Sequence, residues 1–174
     1  MTGIKIIKTI PSMDTNTFEK ALQCAPFWEA CITDIPEVAI TKLADDCMNW
    51  QLKAHFLLDP LGLNKIPVEV NHDLFWKEDT AFTGEGKKWK YWTENSSAVT
   101  ASEGSLFFKP SGNDTKLMIE VTKLDLKNDF LDVAGLGKSM VITRLTQELQ
   151  KMVATLIELT KSGRIPGLLE KCKE

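Results

Sequence analysis

The chain contains 174 residues, of which 43% are hydrophobic and 26% are charged, and it carries a formal net charge of −3. This size and composition are typical of one soluble globular domain, and the negative charge, without any run of lysine or arginine, argues against nucleic acid and anionic membranes as partners. No apolar stretch is long enough to cross a bilayer and the N-terminus does not resemble a signal peptide, so we expect a cytoplasmic protein with no integral membrane association.

The first part of the chain predicts a strand, two short helices and a second strand. Pro11 ends the first strand, and Ser12 or Asp14 can cap the helix that follows. Pro26 stands at the first position of the second helix, where proline is favoured, and the aromatic pair Phe27–Trp28 is expected to pack under the edge of the sheet. The predicted ranges are Gly3–Ile10, Thr15–Gln23, Pro26–Ile32 and Glu37–Leu43.

Two runs of alternating polarity predict an antiparallel hairpin. The runs are Cys47–Leu58 and Pro67–Trp76. A hairpin folded symmetrically about Gly62 brings apolar face against apolar face, as cross-strand packing requires. The predicted pairs are Phe56 with Val68, Leu52 with His72, and Met48 with Trp76.

A second hairpin is predicted around the turn-forming residues Ser111–Asp114. Its buried face is expected to pair Phe108 with Leu117, Leu106 with Ile119, and Gly104 with Val121. Its largely solvated face is expected to pair Phe107 with Met118, Ser105 with Glu120, and Glu103 with Thr122.

The segment Thr80–Thr93, between the two hairpins, predicts a further strand. A turn at Glu94–Ser97 gives two pairs on the buried face, Trp89 with Ser102 and Tyr91 with Thr100. Phe82 has the opposite parity and faces inward only if a nearby glycine marks a β-bulge, so the sequence leaves its orientation open.

One long amphipathic helix is predicted over Lys138–Lys161, about 36 Å in length. Its apolar residues recur at steps of four and three, which is typical of one helical face, and Gly163 ends it. The stripe consists of Val141, Leu145, Leu149, Met152, Leu156 and Leu159. Because no other predicted element is long enough to cover the apolar face of the sheet, we expect the helix to pack there.

The four cysteines show no spacing that is typical of a metal site or a redox motif. They lie at Cys24, Cys31, Cys47 and Cys172. Because cysteines of intracellular proteins are mostly reduced, we predict four free thiols, three of them buried.

Four segments carry a resemblance to a known superfamily: IKIIKTIPSMDTNTFEKAL, PFWEACITDIPEV, TKLMIEVTKLDL and the Gly135–Gly137 run before the long helix. In these segments the chain resembles the START / birch-pollen-allergen / polyketide-cyclase (SRPBCC, helix-grip) superfamily. The resemblance implies an α+β helix-grip fold, in which a seven-stranded antiparallel sheet wraps around a long C-terminal helix, with two short helices between strands 1 and 2. It covers residues 1–174 as a single START-like domain, although the tail 164–174 extends beyond the usual ending.

The resemblance also implies an apolar cavity between the sheet and the helix, which binds a hydrophobic small molecule such as a lipid, sterol, isoprenoid or polyketide-like compound. Some members are enzymes and many are carriers or sensors, and the fold alone does not decide among them. The sequence contains no phosphate loop or nucleophile motif, and no cofactor is predicted.

The wall of this cavity is predicted by parity from one face of the strands and one stripe of the helix. The candidates are Trp50, Leu52, Phe56, Val70, His72, Leu74, Trp76, Trp89, Tyr91, Leu106, Ile119, Val141, Leu145 and Leu149. Ordinary core packing is the alternative for this set. Gly135 and Gly137 would let the loop before the helix move as a gate, or they form an ordinary turn.

His72 is the most informative polar residue, because parity places it on the buried face opposite Leu52. An imidazole in this position can orient a ligand or act as a general acid or base; the alternative is a core histidine satisfied by a hydroxyl group or water. Glu85 would face inward near His72 only if the Glu78–Asp79 turn is two residues long. His55 points outward, so the two histidines do not converge and no metal site is predicted.

Three functions remain open at this stage. The first is non-enzymatic binding of a hydrophobic small molecule, oriented by His72 and Tyr91. The second is a polyketide cyclase/dehydratase-type enzyme in which His72 transfers a proton. The third is a protein-interaction domain with a collapsed cavity, whose outward-facing contact patch consists of Phe75, Phe107 and Met118. Neither the identity of the ligand nor the oligomeric state is predicted.

Overall fold

The computed structural model describes residues 3–32, 37–58, 66–128 and 138–173, with the backbone alone for residues 37, 54–58, 66–68, 138 and 140. The elements are β1 Ile4–Ile10, α1 Thr15–Leu22, α2 Ala25–Cys31, β2 Glu37–Ala44, β3 Cys47–Leu58, β4 Ile66–Glu78, β5 Lys87–Glu94, β6 Val99–Ser111, β7 Asp114–Leu126, α3 Lys138–Lys161 and α4 Ile165–Glu170.

Seven strands within the described ranges form one antiparallel sheet in the order β1-β7-β6-β5-β4-β3-β2. Each strand therefore pairs with its neighbour in the chain, except that β1 joins the far edge beside β7. The two short helices lie between β1 and β2 in the chain, and the long helix follows the last strand. The predicted α+β helix-grip arrangement is confirmed.

The first helix begins at a side-chain cap. Asp14 accepts hydrogen bonds from the backbone N–H of Thr17 at 2.8 Å and from its hydroxyl group at 3.0 Å, so Asp14 rather than Ser12 is the N-cap. These bonds hold the pKa of the Asp14 carboxyl below its usual value. Phe18 and Leu22 of this helix are fully buried.

The β3–β4 hairpin has the register that the alternating pattern predicted. Phe56 pairs with Val68, Leu52 with His72, and Met48 with Trp76. The turn around Gly62 lies outside the described residues, and so does the Gly135–Gly137 segment, for which the sequence allows a gate or an ordinary turn.

The β6–β7 hairpin also has the predicted register from Gly104 to Phe108. Beyond Gly104 the prediction is wrong, because Glu103 pairs with Lys123 instead of Thr122. Thr122 is the extra residue of a β-bulge, and its hydroxyl group donates to the carbonyl of Glu103 at 3.1 Å.

The register predicted for β5 is wrong. Trp89 pairs with Leu106 and Tyr91 with Gly104, four positions beyond the predicted partners. The reason is that the chain continues past Glu94 along β4 before it turns, and β6 begins at Val99. Because four is an even number, both aromatic side chains keep the face that was predicted for them.

The connection between β4 and β5 is longer than the two-residue turn that a His72–Glu85 pair would need. It runs from Asp79 to Gly86, and Glu85 is exposed to solvent, so the predicted His–carboxylate pair does not form. Phe82 lies on the outer side of the sheet, where its ring contacts that of Phe107 with 5.3 Å between centroids.

The long helix α3 has the predicted bounds, and its apolar stripe is buried unevenly. Leu156 and Leu159 of the stripe are buried, as is the adjacent Val153. Leu145 and Leu149 pack against the core but remain partly exposed. The helix contacts β1 and α2. Its C-terminal half is therefore the more tightly packed part.

The prediction of four free thiols is wrong for two of them. Cys24, at the junction of α1 and α2, forms a disulfide with Cys172, and their Cα atoms lie 5.6 Å apart. The tail folds back because α4 buries Ile165 and Leu168 against the body of the protein. Cys31 and Cys47 are the free thiols, and burial raises the pKa of Cys31.

Candidate functional site

The inner face of the sheet, defined as the face that contacts the helices, carries most of the predicted cavity wall. Phe18 of α1 contacts Phe108 on this face, with 4.9 Å between ring centroids, and Trp28 of α2 contacts Trp50 at 5.0 Å. Trp50, Val70, Trp76, Trp89, Leu106 and Ile119 are buried there. The Phe56 side chain lies outside the described part of the chain.

A continuous row of aromatic rings crosses the inner face from α2 to β5. Trp28 contacts Trp50, Trp50 contacts Trp76 at 5.1 Å, and Trp76 contacts Tyr91 at 5.1 Å between centroids. Large flat side chains packed in this way form a rigid apolar surface. The row therefore links the short helix to the central strands.

The inner face also has a less completely filled part. Leu52, Leu74 and Tyr91 pack against the core yet remain partly exposed, as do Leu145 and Leu149 of α3. Val141, nearer the start of α3, is also partly buried. Inward-facing apolar side chains that retain accessible surface are the groups that a hydrophobic ligand would cover.

A half-open pocket of about 450 Å³ lies on β2, β3 and β4. Val38, Leu52 and His72 line it and form one row across the three strands. Further lining residues are Glu29, Ala39, Gln51, Lys53, Asn71 and Asp73. The pocket thus combines apolar and polar groups around the His72 imidazole.

The Ser96 hydroxyl group sets the tautomer of His72. Its oxygen accepts the backbone N–H groups of Ala98 at 3.1 Å and Val99 at 3.0 Å, which uses both of its lone pairs. Its own proton is therefore donated to Nδ1 of His72 at 2.7 Å, and in the neutral ring the imidazole proton is assigned to Nε2. Within the described residues, Nε2 has no hydrogen-bond partner.

Burial lowers the pKa of His72 to about 4, because an imidazolium in this position would lose its hydration. The ring is therefore neutral near pH 7, and it offers a hydrogen-bond donor at Nε2. In this tautomer Nε2 cannot accept a proton, which disfavours His72 as a general base. The alternative prediction, a core histidine satisfied by a hydroxyl group, holds for Nδ1, which is bonded to Ser96.

Sequence reasoning recognised the turn that holds His72 but not the role of its residues. Asn95 donates from its amide group to Asp73 at 3.2 Å, and Ser97 accepts the backbone N–H of Asn71 at 2.9 Å. With Ser96, three consecutive turn residues bind three consecutive residues of β4. The available signal was a run of turn formers whose side chains can hydrogen-bond to backbone or to neighbouring side chains.

Tyr91 and the tryptophans supply the remaining polar groups of the inner face. The Tyr91 hydroxyl group lies 3.3 Å from that of Ser102, and burial raises the Tyr91 pKa. The indole N–H groups of Trp76 and Trp89 are buried and have no partner among the described residues. An unpaired buried donor costs about 1–3 kcal/mol, and such donors are uncommon in folded proteins.

Gly104 leaves room for the Tyr91 ring on the adjacent strand. A Cβ atom at this position would lie 2.6 Å from Cε1 of Tyr91 and would also meet the carbonyl oxygen of Glu120. We expect Gly104→Ala to lower the free energy of unfolding by about 1–3 kcal/mol, because neither the backbone oxygen nor the packed ring can move away freely.

Urea unfolding checks this expectation, with Gly167→Ala as the control. A Cβ atom at Gly167, in α4, meets nothing within 4 Å, so this variant should be neutral or up to about 1 kcal/mol more stable. Equal stability of the two variants would show that the Tyr91 ring does not depend on Gly104.

The outer face carries the residues predicted as a protein contact patch. Phe75 stacks on Trp92 with 5.7 Å between centroids, and Phe107 is contacted by Phe82. Met118 is partly buried. The large hydrophobic side chains that are exposed among the described residues are instead Ile7, at 49%, and Leu43, at 54%.

In the described ranges, no group of three or more His, Cys, Asp or Glu side chains is placed to hold a metal ion. Nor does the described part of the chain contain a helix with the length and apolar character that a membrane crossing needs.

Comparison with solved structures places the fold. The chain is similar to a protein of Thermus thermophilus, with a TM-score of 0.68 and 12% identity over 95% of this chain and 98% of that one. It is similar to a START superfamily protein from Mycobacterium smegmatis, with a TM-score of 0.60 and 10% identity over 95% and 98% of the two chains. A third similar structure is the ZhuI aromatase/cyclase from Streptomyces sp. R1128, with a TM-score of 0.56 and 12% identity over 99% and 93%.

No protein-family model and no curated protein matches the chain. The structural similarities confirm the predicted resemblance as a shared START-like, polyketide-cyclase-like fold. At these identities they concern the fold alone.

Proposed function

We propose that the protein binds a hydrophobic small molecule of the lipid, sterol, isoprenoid or polyketide-like kind between the inner face of the sheet and α3. The observation that carries the proposal is the combination of partly exposed, inward-facing apolar side chains with a neutral His72 whose Nε2–H has no partner in the described chain. Apolar burial would supply affinity at about 25 cal/mol per Å², and the imidazole would orient one oxygen of the ligand.

The structural comparisons support this proposal at the level of fold. One similar structure is named a START superfamily protein and another an aromatase/cyclase. The pocket of about 450 Å³ on β2, β3 and β4, beside His72 and Leu52, is within the size range of small-molecule sites and would form the sheet side of such a site. The predicted wall residues of β3 to β7 and of α3 remain the proposed contacts.

Native mass spectrometry of freshly purified protein and displacement of a fluorescent lipid test the proposal. We expect a bound apolar species or saturable binding of the probe, with competition by other apolar compounds. Protein that carries no adduct and binds no probe at micromolar concentrations, while remaining folded by circular dichroism, would contradict small-molecule binding.

Replacing His72 by phenylalanine is expected to weaken binding of an oxygen-bearing ligand about tenfold, or about 1.4 kcal/mol. The phenyl ring keeps the apolar packing but lacks the Nε2–H. Ser96→Ala should weaken binding in the same direction, because without the serine donor the imidazole proton can shift to Nδ1. Fluorescent-probe competition measures both affinities.

Ser97→Ala is the matched control for the Ser96 variant. Ser97 accepts a hydrogen bond from the backbone of Asn71 and does not contact the imidazole. The Ser97→Ala variant should bind the fluorescent probe with the same affinity as the unmodified protein. If Ser96→Ala and Ser97→Ala bind equally well, the serine does not orient His72 for a ligand.

A second candidate function is a cyclase/dehydratase-type enzyme, which is favoured by the similarity in fold to the Streptomyces aromatase/cyclase. In its neutral tautomer His72 would donate a hydrogen bond from Nε2 to a carbonyl oxygen and so polarise the carbonyl. With an aromatic polyketide as substrate, His72→Ala would abolish turnover and leave binding within about tenfold. Equal loss of turnover and binding would indicate a histidine that only shapes the pocket.

A further inference from the structure

Two neighbouring tryptophans on the central strands have buried indole N–H groups without a partner in the described chain. Trp76 is 7% exposed and Trp89 is 1% exposed. Trp76 pairs with Tyr91 across β4 and β5, and Trp89 lies two residues before Tyr91 on the same face. We call Trp76, Trp89 and Tyr91 the donor patch.

The other three tryptophans of the chain are all hydrogen-bonded. Trp28 donates to the carbonyl of Leu22 at 3.3 Å, Trp50 to the sulfur of Met48 at 3.2 Å, and Trp92 to the carboxylate of Glu94 at 3.0 Å. The sequence contains five tryptophans, and the two whose N–H groups lack a partner in the described residues are Trp76 and Trp89. They are diagonal neighbours in the register of β4 and β5, and both belong to the inner face.

The charged side chains that flank the donor patch, Lys87 and Glu78, are already paired. His72, on the same face of β4, is neutral near pH 7, and the Tyr91 hydroxyl group shares a hydrogen bond with Ser102. Lys87, at the start of β5, is already paired with Glu19 and lies 3.8 Å from Glu78. A charged ligand group would lose its hydration here without gaining a counter-ion.

We propose that the donor patch recognises the carbonyl oxygens of an uncharged, largely apolar ligand, such as a ketone, quinone or ester. This inference rests on the proposed function, because it names the chemistry of a ligand on the same inner face. Indole N–H groups can only donate, so their complement is an acceptor oxygen. A carbonyl supplies that acceptor without the desolvation cost of a carboxylate.

Four naphthalene probes that differ in one substituent test the inference by ligand-observed NMR titration. They are acetylnaphthalene, which carries a carbonyl, ethylnaphthalene, which has the same carbon atoms without the acceptor oxygen, and the charged naphthoate and naphthylmethylammonium. We expect acetylnaphthalene to bind about tenfold more tightly than ethylnaphthalene. We expect each charged probe to bind at least about tenfold more weakly than acetylnaphthalene.

Trp76→Phe and Trp89→Phe assign the preference to the indole donors. Each variant should lose about tenfold in affinity for acetylnaphthalene and keep its affinity for ethylnaphthalene. Trp92→Phe is the control, because this indole lies on the outer face and is already hydrogen-bonded to Glu94. The control should not change the preference for the carbonyl.

The outcomes separate the inference from the function on which it rests. If no probe binds, the proposed small-molecule binding itself fails. If ethylnaphthalene and acetylnaphthalene bind equally, or if both donor-patch variants keep the preference for the carbonyl, the donor patch is overturned while apolar binding stands. Naphthoate that binds as tightly as acetylnaphthalene would overturn the restriction to uncharged ligands.

Discussion

Replacing Trp28 by alanine is expected to lower the free energy of unfolding by about 3–5 kcal/mol. The indole is 1% exposed and begins the aromatic row that continues through Trp50 to Tyr91. It also contacts Phe27 with 5.0 Å between centroids and donates to the carbonyl of Leu22 at 3.3 Å. Truncation would therefore open a cavity and leave one end of the row unsupported.

Urea denaturation followed by circular dichroism measures this change, with Trp92→Ala as the control. Trp92 lies on the outer face, where it stacks on Phe75 and remains partly exposed. Its removal should cost about 0.5–1.5 kcal/mol, the value of an aromatic pair. If Trp28→Ala costs no more than Trp92→Ala, α2 does not support the inner face.

The strand register was predicted correctly where a symmetric turn is flanked by residues whose polarity alternates with a period of two. The β3–β4 hairpin and the β6–β7 hairpin as far as Gly104 both meet this condition, because a slip of one residue would turn every apolar side chain to solvent. Because side chains alternate between the two faces with a period of two, the pattern does not reveal a register shift by an even number of residues. The β5 register therefore came out four residues away, although Trp89 and Tyr91 were placed on the correct face.

The candidate site was predictable as a set of residues on one face, but not as a hydrogen-bond network. Parity put His72 on the inner face, whereas its partner Ser96 comes from a turn whose path along β4 is set by Asn95 and Ser97. Strand parity likewise predicts the face on which an indole lies, but it does not predict a hydrogen-bond partner for the indole N–H. The unpaired state of Trp76 and Trp89 was accordingly visible only in the structure.

The disulfide could not be predicted, because its two cysteines are 148 positions apart and lack a motif. What brings them together is the packing of α4, in the tail that had no structural assignment. Ile165 and Leu168 supply the buried side of that short helix. Apolar residues in a six-residue helix give too little periodicity to be recognised as a pattern.

Replacing Cys172 by serine is expected to lower the free energy of unfolding by about 2–4 kcal/mol. The cross-link closes a loop of 148 positions, for which the chain-entropy relation gives about 5 kcal/mol as an upper value. Reduction of the unmodified protein should produce the same loss. Cys47→Ser, at a free and partly buried thiol, should change stability by less than about 1 kcal/mol.

Alkylation and hydrogen exchange distinguish this cross-link from simple packing of the tail. Alkylation of the denatured protein without reductant, followed by mass spectrometry, should label only Cys31 and Cys47, and labelling of all four cysteines would contradict the disulfide. In Cys172→Ser the amides of α4 should exchange faster than those of the central strands, because Ile165 and Leu168 alone must then hold the helix against α2. Equally faster amide exchange in α4 and in all strands of the sheet would instead mean that the cross-link stabilises the whole fold and not the tail.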